Sequence, residues 1–103
     1  MTTPMHVTDN AAAGRFEVTL DGAVAFAEYR LEPGRIVLPH TVVPEAFAGR
    51  GVGGALAKAA FGYARAHRLE VVPTCEFMAG WVKKHPDEHD LLTESSRTAL
   101  GIP

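Results

Sequence analysis

Four glycines stand within six residues, Gly49-Arg50-Gly51-Val52-Gly53-Gly54, between an apolar strand pattern and a helical one. Glycine costs a helix about 1 kcal/mol relative to alanine, so such a cluster at a helix start needs a cause. Bare N–H groups of Gly49, Gly51, Gly53 and Gly54 can close on phosphate oxygens, and a helix N-terminus adds a favourable dipole. A tight turn or a close helix–sheet contact would account for one or two of the four. Location, density and helix onset together favour an anion site.

Upstream, Phe16, Val18 and Leu20 alternate with Glu17 and Thr19, the pattern of a half-buried strand. Asp21-Gly22 is a two-residue hairpin signal. The next strand, Ala23 to Leu31, puts Ala23, Ala25, Ala27 and Tyr29 on one face, small enough for a helix to pack close. Glu32-Pro33-Gly34-Arg35 suits a type II turn. A third strand, Arg35 to Val43, sets Ile36, Leu38, His40 and Val42 on one face and Val37, Thr41 and Val43 on the other. Pro39 cannot donate to a ladder, so pairing is expected to fail or bulge there. A helix follows to about His67, with Val52, Leu56, Ala59, Ala60 and Tyr63 as its apolar stripe. Leu69 to Cys75 reads as a fourth strand broken by Pro73, and Phe77 to Lys84 as a short helix stopped at His85-Pro86.

Three strands joined by tight turns form an antiparallel meander. The third and fourth, joined through a helix, form a parallel pair with a right-handed crossover. Binding sites favour the C-terminal ends of such a pair. Residues 1–14 read as a flexible arm, 15–92 as one domain and 93–103 as a polar tail.

The 103 residues carry a net charge of -2, so no basic field draws the chain to nucleic acid or anionic lipid. No run approaches the ~18 apolar residues of a membrane span. The start lacks a signal pattern, and the single cysteine, Cys75, allows no intrachain disulfide. A cytoplasmic location is the expectation.

The loop ends Gly53-Gly54-Ala55 and so lacks the Lys-Ser/Thr of a P-loop. Gly49, Gly51 and Gly54 match a dinucleotide fingerprint, but three antiparallel strands precede it and no room remains for a second half. A nucleotide-binding fragment is kept as the lesser alternative. The segment HTVVPEAFAGRGVGGALAKAAFGYAR resembles the acyl-CoA-binding segment of the GNAT superfamily of N-acyltransferases. Gly51 and Gly53 fill the last two places of its Arg/Gln-x-x-Gly-x-Gly/Ala pattern, and Ala48 stands where Arg or Gln is usual. Together with His40-Thr41, Pro73-x-Cys75-x-Phe77 and His85-Pro86, it is similar to the small stand-alone GNAT-like acetyl-CoA-binding proteins. The resemblance covers about residues 15 to 92. It implies a compact α+β fold, a mixed and mostly antiparallel sheet with a parallel pair joined by the CoA-binding helix. It implies acetyl-CoA as cosubstrate, with pantetheine paired to the backbone of Val42 and Val43, and no metal. It also implies that the N-terminal helices which complete the acceptor site in longer relatives are missing.

Cys75 near the end of the fourth strand and His40 on the third form a candidate nucleophile and base, since a cysteine beside a histidine can attack an acyl thioester. The bland alternatives are a small buried cysteine and a hydrogen-bonded core histidine. Many longer relatives use a tyrosine of the last helix as proton donor, and this helix has none. Phe77 and Trp81 line the pantetheine groove or pack the core. Gly49, Arg50, Gly51, Val52, Gly53 and Gly54 hold the CoA phosphates, with Arg50 as the nearby cation. Lys83 and Lys84 read as a solvated face. His85-x-x-x-His89 has ligand spacing but no complete zinc set. The expected function is acetyl transfer to an amine or thiol acceptor. A non-catalytic acetyl-CoA binding or sensing module is the main alternative.

Overall fold

Alternating apolar residues and two tight turns lay down the first layer of the molecule. The computed structural model describes residues 6–103. Strands β1 (Thr8–Asn10), β2 (Arg15–Leu20), β3 (Ala23–Glu32), β4 (Arg35–Val42) and β5 (Glu70–Val72) form one sheet in that spatial order. The first four are antiparallel, and β4 and β5 are parallel. Asp21 and Gly22 both take positive φ, 51° and 80°, as the hairpin requires. Residues 8–10, expected within an arm, pair with β2. The rest of that expectation, residues 1–5, lies outside the described residues.

Helix α1 (Val52–Ala66) crosses over and packs on β2 and β3. The alanines permit this, since Ala25 and Ala27 of β3 and Ala57, Ala60 and Ala64 of α1 are all fully buried. Around them Phe16, Val18, Ile36, Leu38, Leu56 and Phe61 complete the core. Each large side chain so buried contributes about 1.5–3 kcal/mol. Helix α2 (Glu76–Lys83) adds Met78 and Val82. The polar tail is not a tail throughout: Thr93 caps a third helix, α3 (Glu94–Leu100), by accepting from Ser96 N at 3.1 Å. Leu92, beside Val71 in a parallel bridge, anchors α3 to the sheet edge.

Pro39 does disturb the ladder. Arg30 faces Val37 and Glu28 faces His40, so Tyr29 alone opposes Leu38 and Pro39. The extra residue reverses the alternation of β4 beyond it. Thr41 pairs with Ala27 on the helix-covered face, whereas His40 pairs with Glu28 on the opposite face. The expectation that His40 continues the Ile36–Leu38 face is therefore corrected. Its ring lies 6.3 Å from that of Phe26, and the residue is exposed.

The fourth strand is shorter than its apolar run suggests. It stops at Val72, because Pro73 removes a donor. The chain stays against β4 for three more residues, with Cys75 N donating to Leu38 O at 3.1 Å. Cys75 is then the N-cap of α2 rather than a strand residue.

Candidate functional site

The site lies where β4 and the segment after β5 part company. Tyr29 N donates to Gly14 O across to the β2 side. In an antiparallel ladder that sends the main-chain groups of odd residues of β3 toward β2 and those of even residues toward β4. Phe26 and Glu28 therefore bond with Val42 and His40, their partners in register. This corrects the role expected of Val42, whose backbone serves β3. The main-chain groups of Thr41 and Val43 point the other way, into the gap that opens after β5 ends. Val43 lies just beyond the strand and is exposed.

The closed end of the gap is built from Thr41 and Cys75. Their Oγ1 and Sγ atoms are 3.3 Å apart. The sulfur also accepts from Met78 N at 3.4 Å, which caps the first turn of α2. These are its polar partners. His40, on the opposite face of the sheet, is not among them, so the expected cysteine–histidine pair does not form. Thr41 is the residue that the pattern alone missed. Its signal was present: a bulge at Pro39 moves each later residue of β4 to the other face.

At the open end stands the glycine cluster, and its glycines have two separate causes. Gly49 and Gly51 adopt φ of 76° and 72°, which glycine tolerates best. Gly53 instead allows α2 to approach α1. A Cβ on Gly53 would lie 2.5 Å from Cζ of Phe77, and one on Gly54 would lie 3.7 Å from Nε1 of Trp81. The close contact weighed for one or two of the four thus accounts for Gly53, whereas a Cβ on Gly54 would make an ordinary contact.

The start of α1 nonetheless leaves backbone donors free. Ala55 N to Gly51 O is the first bond of α1, so the N–H groups of Val52, Gly53 and Gly54 have no partner within the helix. The N-cap, Gly51, has no side chain to satisfy them, and the first turn carries no acidic residue. Among the described residues the Arg50 side chain pairs with Asp21 at 3.7 Å, a contact between two exposed groups.

Phe77 is exposed over Gly53, while Trp81 lies 5.3 Å from the Phe61 ring and stacks on His85 at 3.8 Å. His85 Nδ1 donates to Trp81 O at 2.6 Å and His89 Nε2 donates to Val82 O at 2.7 Å. Both histidines thus cap the end of α2. Among the described residues, no three potential ligands gather around a metal position. Lys83 and Lys84 are solvent-exposed at the end of the same helix.

A bulged strand, a parallel neighbour that ends early and a helix N-terminus without a side-chain cap thus adjoin one another. A family model described as GCN5-related N-acetyl-transferase matches residues 15–91. The chain belongs to the GCN5-related N-acetyltransferase family. It is 38% identical over 88 residues to Protein NATD1 of Mus musculus, covering 81% of this chain and 78% of that one. With Protein NATD1 of Danio rerio the identity is 32% over 90 residues, covering 84% and 81%. The solution NMR structure of a GCN5-like protein from Staphylococcus aureus superposes with a TM-score of 0.71 at 25% identity, covering 89% of this chain and 91% of that one. The α+β sheet with one parallel pair is the fold expected of this acetyltransferase family. No helix among the described residues is long and apolar enough to cross a membrane.

Proposed function

We propose that this GCN5-related chain binds acetyl-CoA and transfers its acetyl group to an amine. The observation that carries the reading is the uncapped N-terminus of α1, with the N–H groups of Val52, Gly53 and Gly54 free, following a β4 whose parallel neighbour stops at Val72. Thr41 near the end of β4 meets Cys75 beyond that stop. A pyrophosphate fits the helix end, since both the N–H groups and the dipole favour an anion, and Arg50 can turn from Asp21 to join it. A pantetheine arm, with two amides, matches the main-chain donors and acceptors of Thr41 and Val43. Phe77 and Trp81 wall the groove on the α2 side.

The thioester then rests beside Cys75. In the transfer proposed here, the Cys75 thiolate attacks the acetyl carbonyl, a new C–S bond forms and the bond to CoA sulfur breaks. CoA leaves as a thiolate and takes a proton from solvent. The acceptor amine then attacks the acetyl-cysteine, forming the C–N bond and returning the Cys75 thiol. A tyrosine donor is not needed on this route, and α2 offers none.

One observation favours a second reading. Among the described residues no histidine reaches the sulfur, whose partners are Thr41 and Met78 N–H. Direct attack of the amine on bound acetyl-CoA, or binding without catalysis, would need no activated cysteine. Incubation with acetyl-CoA alone separates these routes. The Cys75 route leaves one hydroxylamine-sensitive acetyl group on the protein, lost in Cys75→Ala although that variant still binds acetyl-CoA. A protein that binds acetyl-CoA and stays unlabelled refutes it. Thermal shifts test the ligand itself: acetyl-CoA should raise Tm well beyond NAD or ATP, and equal shifts would dismiss the CoA reading.

A further inference from the structure

Two turns far apart in the chain meet beside the start of α1. The β2–β3 hairpin carries Asp21 at its tip, and the glycine cluster sets Arg50 one residue before the N-cap of α1. Oδ2 of Asp21 lies 3.7 Å from Nη1 of Arg50. Among the described residues, no other cation pairs with Asp21 and no other carboxylate with Arg50. The hairpin itself does not require this charge. Asp21 stands at a φ of 51°, which asparagine or glycine before Gly22 accepts as well. The carboxylate is therefore available to something other than the turn.

The pair is arranged so that it parts easily. At 3.7 Å it lies beyond hydrogen-bond range, unlike the bonds of Arg65 to Asp90 at 2.9 and 3.0 Å. The Asp21 side chain is 88% exposed, so it returns to water at little cost when Arg50 leaves. A phosphate on the free N–H groups of Val52, Gly53 and Gly54 offers Arg50 short, charged and bidentate bonds instead. We infer that Asp21 competes with the diphosphate of the acyl donor for Arg50, and so sets the affinity of the phosphate site. The inference rests on the acetyl-CoA reading above. Before an anion binds, the carboxylate holds the guanidinium beside the loop. On binding, the guanidinium changes partner and Asp21 turns to solvent. Each binding event gives up one exposed ion pair, and the donor is held less tightly than the loop alone would hold it.

Calorimetric titration of acetyl-CoA into the wild-type protein, Asp21→Asn, Arg50→Gln and the double variant tests the exchange. Asparagine suits the hairpin backbone, and Asp21→Gly is a second variant with the same expectation. Both Asp21 variants should bind acetyl-CoA roughly two- to fivefold more tightly at low salt, the worth of one exposed ion pair. In the Arg50→Gln background Asp21→Asn should change nothing. Acetylpantetheine, which has no phosphate, should gain nothing from either Asp21 variant. Unchanged or weaker acetyl-CoA binding in both Asp21 variants, an equal gain without Arg50, or a gain for acetylpantetheine would each overturn the exchange. A wild-type protein with no affinity for acetyl-CoA would instead overturn the acetyl-CoA reading beneath it.

Discussion

Gly53→Ala puts the account of the glycine cluster at risk. Gly53 lies in the first turn of α1 with no positive φ, so alanine fits its backbone and gains up to about 1 kcal/mol of helix propensity. The new Cβ meets the Phe77 ring at 2.5, 2.8 and 3.3 Å. Ordinary carbon contacts are about 3.5–4.0 Å, so the ring must retreat by roughly 1 Å. Phe77 is 40% exposed and can swing outward, at the loss of part of a burial worth about 1.5–3 kcal/mol. If it holds its place, the overpacking costs about 1–3 kcal/mol. The substitution should therefore destabilise the chain by roughly 0–2 kcal/mol.

In a Phe77→Ala background the obstacle is gone, and the same substitution should stabilise by up to about 1 kcal/mol. Urea unfolding of the four proteins in the cycle reads this change of sign, a coupling of about 1–3 kcal/mol. An equal effect in both backgrounds would refute the idea that Gly53 exists for Phe77. Acetyl-CoA titrations of the same proteins give a second readout. If the double variant loses binding that Phe77→Ala alone retains, the bare Gly53 backbone is needed by the ligand as well.

Thr41→Val removes the hydroxyl beside Cys75 but keeps the main-chain groups of β4. It should slow acetyl labelling of Cys75 up to about tenfold, the worth of one hydrogen bond, with acetyl-CoA affinity unchanged; equal loss of both would place Thr41 in binding. Burial foremost, and then the Asp9 hydrogen bond, push the Tyr29 phenol well above its usual value. A raised value stabilises the fold below the unfolded value of about 10 and loses that contribution as pH rises further. Melting temperature should thus fall above pH ~10, and Tyr29→Phe should flatten that fall. Arg65 ties α1 to the turn at Glu88 and Asp90, and its hydrogen bond holds the Asp90 carboxyl below the usual carboxylate range. That stabilisation is present above the unfolded value and lost as pH falls through the folded one. The deficit of Arg65→Ala in urea should therefore shrink below pH ~4, and a constant deficit would assign Arg65 a packing role.

Much of this molecule is readable from short-range chemistry. Asp21-Gly22 and Pro33-Gly34 place the hairpins because only a few residues accept their backbone angles, and the alanines of β3 foretell the helix above them. What escaped depends on distance along the chain. Thr8 to Asn10 carry no apolar pattern, yet they pair because β2 offers an open edge. Residues 93–103 read as a polar tail, but a Thr93 cap and the burial of Ser96 hold a helix there. The glycine cluster concealed two causes under one composition, since the ring that Gly53 accommodates comes from residue 77.

The catalytic pair shows how one local event changes the chemistry. A disturbance at Pro39 was legible from proline's missing donor, but its consequence is an odd count. With an unbroken alternation, His40 would share the face of Leu38, and a cysteine on the neighbouring strand could meet an imidazole. One extra residue opposite Tyr29 sends His40 to the outer face and brings Thr41 inward. The sulfur then meets a hydroxyl that can orient it rather than a base that can take its proton. The Cys75 thiol must then lose its proton to water or to the incoming amine before it can attack, so labelling should keep rising as pH is raised. A labelling rate that levels off near pH 6–7 would reveal a histidine acting on the sulfur after all.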